Sequence, residues 1–158
     1  MTSAPPLHPD IGSLGFLVGT WVGEGKGDYP TIEPFGYGEE IDFWHIGKPW
    51  IGYRQRTWAL DGRRPLHAEM GYWRRAEDDR VELVLAHPTG VAEIEEGIVE
   101  GEHIALRSTS VAKTSTAKPV SALTRSIAVS GDVMTYTLEM AAVGKPLTHH
   151  LSATLHRQ

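Results

Sequence analysis

The side chains able to do chemistry in this chain are histidines and carboxylates. Eight histidines and no cysteine occur among its 158 residues. That removes disulfides, thiolate nucleophiles, Cys-x-x-Cys metal sites and covalent attachment through Cys-x-x-Cys-His. Iron chemistry would therefore have to use imidazole. The densest histidine signal is Pro146-Leu147-Thr148-His149-His150-Leu151. Successive strand residues point to opposite faces, so His149 and His150 cannot chelate one ion. His150 and His156 share a face but lie about 20 Å apart along a strand, which excludes a two-histidine site there too. Glu93 with Glu95, or Glu95 with Glu96, has the residue type for acid–base work, but a charged outward face accounts for them. His45, His87 and His103 read as structural. No helix follows the glycine-rich positions, so they form no phosphate loop.

Strands must position these residues. From Thr20 onward, short runs of Val, Ile, Thr, Tyr and Trp alternate with Gly, Pro and Asp clusters, a pattern of strand after strand. The predicted strands cover residues 19–28, 36–47, 49–59, 66–75, 80–87, 90–97, 102–110, 119–129, 132–142 and 146–157. Asp61-Gly62 and Ser130-Gly131-Asp132 supply tight turns, because Gly and Asp tolerate the positive φ that hairpins need. Two connections, Tyr29 to Phe35 and Val111 to Lys118, are longer than a hairpin requires and suit the mouth of a pocket. No second helical stretch is available for parallel crossovers. The expected fold is all-β, a single ten-stranded antiparallel up-and-down β-barrel, since closure removes sheet edges and small barrels enclose one ligand cavity. The apolar residues between Ile11 and Gly19 predict a short helical turn serving as lid or plug. Residues 1–10, with three prolines, read as a flexible N-terminus ahead of a barrel domain at 11–158.

Composition agrees with one folded domain, at 41% hydrophobic and 22% charged residues. A net charge of -5 without a basic stripe argues against nucleic acid. No leader and no apolar run of roughly 20 residues is visible, so no membrane partner is expected and the cytoplasm is the default compartment.

The strongest motif is Gly19-Thr20-Trp21-Val22-Gly23-Glu24-Gly25. Gly19, Trp21, Gly23 and Gly25 alternate along one face, where the glycines allow sharp coiling or close backbone approach and Trp21 can plug the closed end. A Gly-x-Trp opening is shared with lipocalins and fatty-acid-binding proteins, whereas the longer Gly-x-Trp-x-Gly-x-Gly resembles the nitrobindins. Further matches to that family lie at Tyr29-Pro30-Thr31-Ile32, Gly47-Lys48-Pro49, Pro65-Leu66-His67-Ala68-Glu69, Leu85-Ala86-His87-Pro88-Thr89-Gly90 and the terminal Thr148-His149-His150-Leu151. The resemblance runs from about residue 14 to the C-terminus.

The resemblance implies one non-covalent haem b per subunit, isomerisation of peroxynitrite to nitrate at ferric haem, binding of nitric oxide, and a monomer or homodimer. His150 matches the family's axial iron ligand. Strand alternation alone favours His149, which shares a face with Leu147, Leu151, Ala153 and Leu155; a bulge would reconcile the two. By the same matching, Leu66 and His67 approach the open side of the haem, with His67 as a catalytic hydrogen-bond partner for a bound anion. Met140 would pack against the ring, and Thr31 and Lys118 would meet the propionates at the mouth. The rival reading is a non-catalytic, lipocalin-like carrier of a hydrophobic small molecule or of haem; a lipid carrier would lack an intense Soret band.

Overall fold

In a computed structural model, which describes residues 3–158, ten strands close into one antiparallel barrel. They are β1 (Gly19–Tyr29), β2 (Ile32–Trp44), β3 (Ile51–Ala59), β4 (Pro65–Arg75), β5 (Arg80–Ala86), β6 (Val91–Glu100), β7 (His103–Lys113), β8 (Val120–Ser130), β9 (Val133–Ala142) and β10 (Thr148–Arg157). Each pairs with its sequence neighbours, and β1 pairs with β10 from Trp21↔Arg157 to Gly27↔Leu151, which leaves no sheet edge. The meander expected from the alternating runs is the one observed.

One predicted loop is not a loop. β2 begins at Ile32, so Tyr29 to Phe35 reduces to a turn through Pro30 and Thr31, with a register shift between Gly27 and Tyr29. Extra residues of β2 are absorbed at that irregularity, where Pro34 removes no regular ladder bond. The second long connection persists as residues 114–119. Beneath it the β7–β8 ladder runs only from His103↔Ala128 to Arg107↔Thr124, so the seam opens toward the mouth.

The opposite end is closed. A nine-residue 3₁₀ helix, Pro9–Leu17, crosses it. In a 3₁₀ helix residues three apart eclipse one another, so Ile11, Leu14 and Leu17 form one ridge, and all three are fully buried. Each such side chain contributes about 1.5–3 kcal/mol through burial. Trp21 donates its indole N–H to the Leu17 carbonyl at 2.8 Å. The Arg157 guanidinium stacks over Trp21 at 4.2 Å and donates to the carbonyls of Phe16 (3.0 Å) and Val18. The predicted helical segment is thus a plug. Among the described residues, no helix is long and apolar enough to cross a membrane.

Above the plug the interior is filled by Phe43, Ile51, Trp73, Leu83 and Ile104, all buried. From mid-barrel to the mouth it is not filled.

Candidate functional site

A cavity of about 710 Å³ occupies the open half of the barrel, within the size range of cofactor and ligand sites. His150 lines it and His149 does not. The cause is a β-bulge: β10 pairs His149↔Glu139 and then Leu151↔Leu138, so His150 is an extra residue in its strand. The bulge turns His150 inward beside Leu151 and leaves His149 exposed, in a shallow outer groove with Lys26 and Asp28. The alternation rule that favoured His149 fails at this one residue.

His150 is held from two sides. Its Nδ1 lies 3.0 Å from the carbonyl oxygen of Asp28. A carbonyl only accepts, so Nδ1 carries the proton and the Nε2 lone pair stays free. The Tyr29 ring meets the imidazole edge-on at 5.3 Å. Tyr29 is itself pinned, accepting from the Ala142 N–H at 2.9 Å and donating to the Met140 carbonyl at 3.0 Å. Met140, Leu66 and His67 line the same cavity, and Thr31 and Lys118 stand at its solvent-exposed rim. All six predicted contact positions therefore share one cavity.

The motif residues serve the scaffold. A Cβ on Gly23 would lie 2.1 Å from the Thr154 carbonyl oxygen, so only glycine lets β1 and β10 approach there. A Cβ on Gly25 would strike the Tyr37 ring, which lies across it and points its hydroxyl at Tyr136 (2.7 Å). Gly19 has φ 132° beneath Arg157.

Strand parity was misread on β6. Val91, Glu93 and Glu95 face inward, while Ile94 and Ile98 are exposed, so the expected charged outer face is reversed. Glu93 and Glu95 instead surround Arg125 with Glu69: Nη1 to Glu69 Oε1 is 3.1 Å, Nη2 to Glu93 Oε1 2.8 Å, and Nε to Glu95 Oε2 2.6 Å. Tyr53 donates to Glu69 at 2.6 Å. A second cluster joins Glu39 to Gln55 (2.6 Å) and Tyr136 (2.8 Å). His87, read as structural, belongs to this belt: its Nδ1 is 3.1 Å from His67 Nε2, and its Nε2 is 3.3 Å from Glu93 Oε1. The signal available in the sequence was the four-residue turn 87–90. It sets Leu85 opposite Glu93, so a buried Leu85 implies a buried Glu93.

Burial acts on every group in the belt, and the neighbours decide the outcome. Burial pushes Glu39 up to about 7 against the hydrogen bonds from Gln55 and Tyr136. Glu95 likewise rises to about 7, through burial opposed by Arg125 and reinforced by Glu93. For Glu69 burial is overruled by Arg125, His87 and the Tyr53 hydroxyl, which hold it at about 2. Burial lowers His67, favouring its neutral ring, while the bond to Glu93 and the charge of Glu69 raise His87 despite burial.

Residues 10–157 match the family described as THAP4-like, heme-binding beta-barrel domain. The chain belongs to this family, the nitrobindins. It is 59% identical over 155 residues to a peroxynitrite isomerase of Nocardia farcinica, covering 96% of this chain and 92% of that one. It is 52% identical to peroxynitrite isomerase 2 of Mycobacterium avium, covering 96% and 97%. The crystal structure of Rv2717c from M. tuberculosis superposes with a TM-score of 0.91 at 48% identity, covering 97% of this chain and 99% of that one. The S-type phycobiliprotein lyase of Guillardia theta, at 11% identity and TM-score 0.64, shares the barrel fold.

The cavity of this nitrobindin fits a haem. It offers an imidazole nitrogen with a free lone pair whose other nitrogen is anchored by a backbone carbonyl, the usual arrangement behind a metal-binding histidine. It also offers apolar walls for a macrocycle and a hydroxyl and an ammonium at the rim for carboxylates.

Proposed function

We propose that this nitrobindin is a haem-dependent peroxynitrite isomerase, carrying one non-covalent haem b per chain with His150 as axial ligand. The observation that carries the reading is His150 itself, bulged into the cavity with Nδ1 committed to Asp28 and Nε2 free. The peroxynitrite isomerases among its relatives support the choice of substrate. Held there, ferric haem would supply a Lewis-acidic iron for the bound anion.

The remaining work falls to this chain. Asp28 and Tyr29 fix the imidazole ring so that its lone pair is aimed before the cofactor arrives, which avoids the entropy of ordering it later. Thr31 and Lys118 at the rim would meet the propionates, and Leu66 and Met140 would offer apolar contact to the bound haem. The largely apolar cavity walls would confine bound peroxynitrite while it rearranges to nitrate, a proximity advantage. The isomerisation conserves atoms and electrons, so neither reductant nor second substrate is needed. His67, kept largely neutral by burial, offers a hydrogen bond to the bound anion. With the haem reduced, the same cavity would bind nitric oxide.

The test is the visible spectrum of haem-reconstituted protein, followed by dithionite, nitric oxide and then peroxynitrite decay with nitrate quantified. A sharp Soret band is expected in the parent and in His149→Ala, and its loss in His150→Ala. A free-haem spectrum in the parent would overturn the reading in favour of a carrier of another hydrophobic molecule. Loss of the band in His149→Ala alone would move the ligand.

A further inference from the structure

We propose that His67, His87 and Glu69 form a second, non-haem metal site on the cavity wall, for one divalent first-row transition-metal ion of the Zn²⁺ or Fe²⁺ type. The argument begins with three ligand atoms. His67 Nε2 to His87 Nδ1 is 3.1 Å, His87 Nδ1 to Glu69 Oε2 is 3.5 Å, and His67 Nε2 to Glu69 Oε2 is 3.9 Å. A triangle with these edges has a point about 2.0 Å from all three atoms, which is the bond length of imidazole nitrogen and carboxylate oxygen to zinc. Small side-chain rotations would turn the two ring nitrogens from each other toward such an ion.

The outer shell is also in place. His87 presents its other nitrogen, Nε2, to Glu93 Oε1 at 3.3 Å, the carboxylate–histidine–metal relation that fixes the tautomer of a ligating imidazole. Glu69 points Oε2 at the histidines while Oε1 accepts from Tyr53 at 2.6 Å and Arg125 at 3.1 Å, so the carboxylate is oriented by donors that leave one oxygen free. Three carboxylates, Glu69, Glu93 and Glu95, share the guanidinium of Arg125. Glu93, 2% exposed, keeps Oε2 without a hydrogen-bond partner, as Glu95 keeps Oε1. A divalent cation would offset negative charge in this cluster.

Two imidazoles and one carboxylate suit zinc or non-haem iron, and leave at least one coordination position for water or a small anion. Because His67, His87 and Glu69 all line the cavity, that position opens into it. β10 stands four strands from β4 one way round and five from β5 the other way in the ten-strand closure, so the site faces the wall that carries His150. A plain hydrogen bond between the two rings is the competing account of their 3.1 Å contact, and it predicts no metal affinity.

The proposal does not rest on the haem reading and is tested separately. Full-length protein, purified without a histidine tag and free of haem, is titrated with Co²⁺ while its visible d–d bands are followed, then challenged with Zn²⁺. The titration is repeated after haem loading, with bound cobalt counted by elemental analysis. The expected result is one Co²⁺ per chain, displaced by Zn²⁺ and retained in His150→Ala. His87→Ala and Glu69→Gln should lose the bands, and Glu93→Gln should weaken binding by about 10–100-fold. Absence of saturable d–d bands in the parent overturns the proposal whatever the variants do. So does undiminished binding in both His87→Ala and Glu69→Gln with native circular dichroism, which would mark adventitious surface binding. Loss in His150→Ala would assign the ion to the haem ligand instead.

Discussion

The two ends of this barrel are built on opposite principles. At the plugged end Ile11, Leu14, Leu17 and Trp21 are fully buried, and Arg157 beside them keeps its guanidinium on backbone carbonyls and the indole face. Toward the mouth the interior holds Glu69, Glu93 and Glu95 around Arg125, and Glu39 with Gln55 and Tyr136, each glutamate at most 5% exposed. Burying such a set costs free energy that well-packed apolar residues would not, so ion pairs of this kind are poor evidence of stabilisation. The apolar end concentrates stabilising burial, whereas Glu39, Glu69, Glu93 and Arg125 of the charged belt line the cavity.

The largest effects should separate these principles. Arg125→Ala strands three buried carboxylates and should cost about 3–5 kcal/mol in urea denaturation at neutral pH, with the deficit shrinking as acid neutralises them. Trp21→Ala should cost a similar amount, about 3–5 kcal/mol, through lost burial and a cavity, with no dependence on pH. Parallel pH profiles for the two variants would erase the distinction.

Glu39 gives the next effect. Its folded pKa, about 7, lies above the ordinary value of 4.5, so the folded protein holds this proton more tightly than the unfolded chain does. The stability it contributes is complete below about 4.5 and lost as pH rises through about 7, a change of about 3 kcal/mol at roughly 1.36 kcal/mol per unit. Glu39→Gln should remove this fall from the curve of stability against pH; an unchanged slope would refute the assignment.

The smallest effect tests the inverted strand. Ile94→Thr, on the outer surface, should change stability by less than about 0.5 kcal/mol. Glu95→Ile, one residue away and inward, leaves Arg125 short of a partner and should cost more than Ile94→Thr. Equal effects would mean that β6 faces the other way.

Much of this was legible in the sequence. Alternating runs and Gly-Asp turns placed ten strands, and the meander followed because hairpins leave neighbouring strands little choice of partner. The family resemblance drew attention to His150, Thr31, Leu66, His67, Lys118 and Met140, which line one cavity. Composition was misleading on β6, where isoleucines face solvent and glutamates the core, because hydrophobicity reports an average environment and not a particular partner such as Arg125 some 30 residues away.

By itself the sequence determined the barrel and a short apolar helical turn before it, since period-two alternation, turn chemistry and apolar composition are local properties; that this turn is a plug and not a lid was decided by the tertiary structure. Only the tertiary structure decided which histidine enters the cavity, because a bulge is a mismatch between two paired strands and has no signature in either one alone. It also decided that His67, Glu69, His87 and Glu93, spread over 27 positions of the chain, meet at one place. Register across β4, β5 and β6 sets those contacts, and register belongs to the closed sheet.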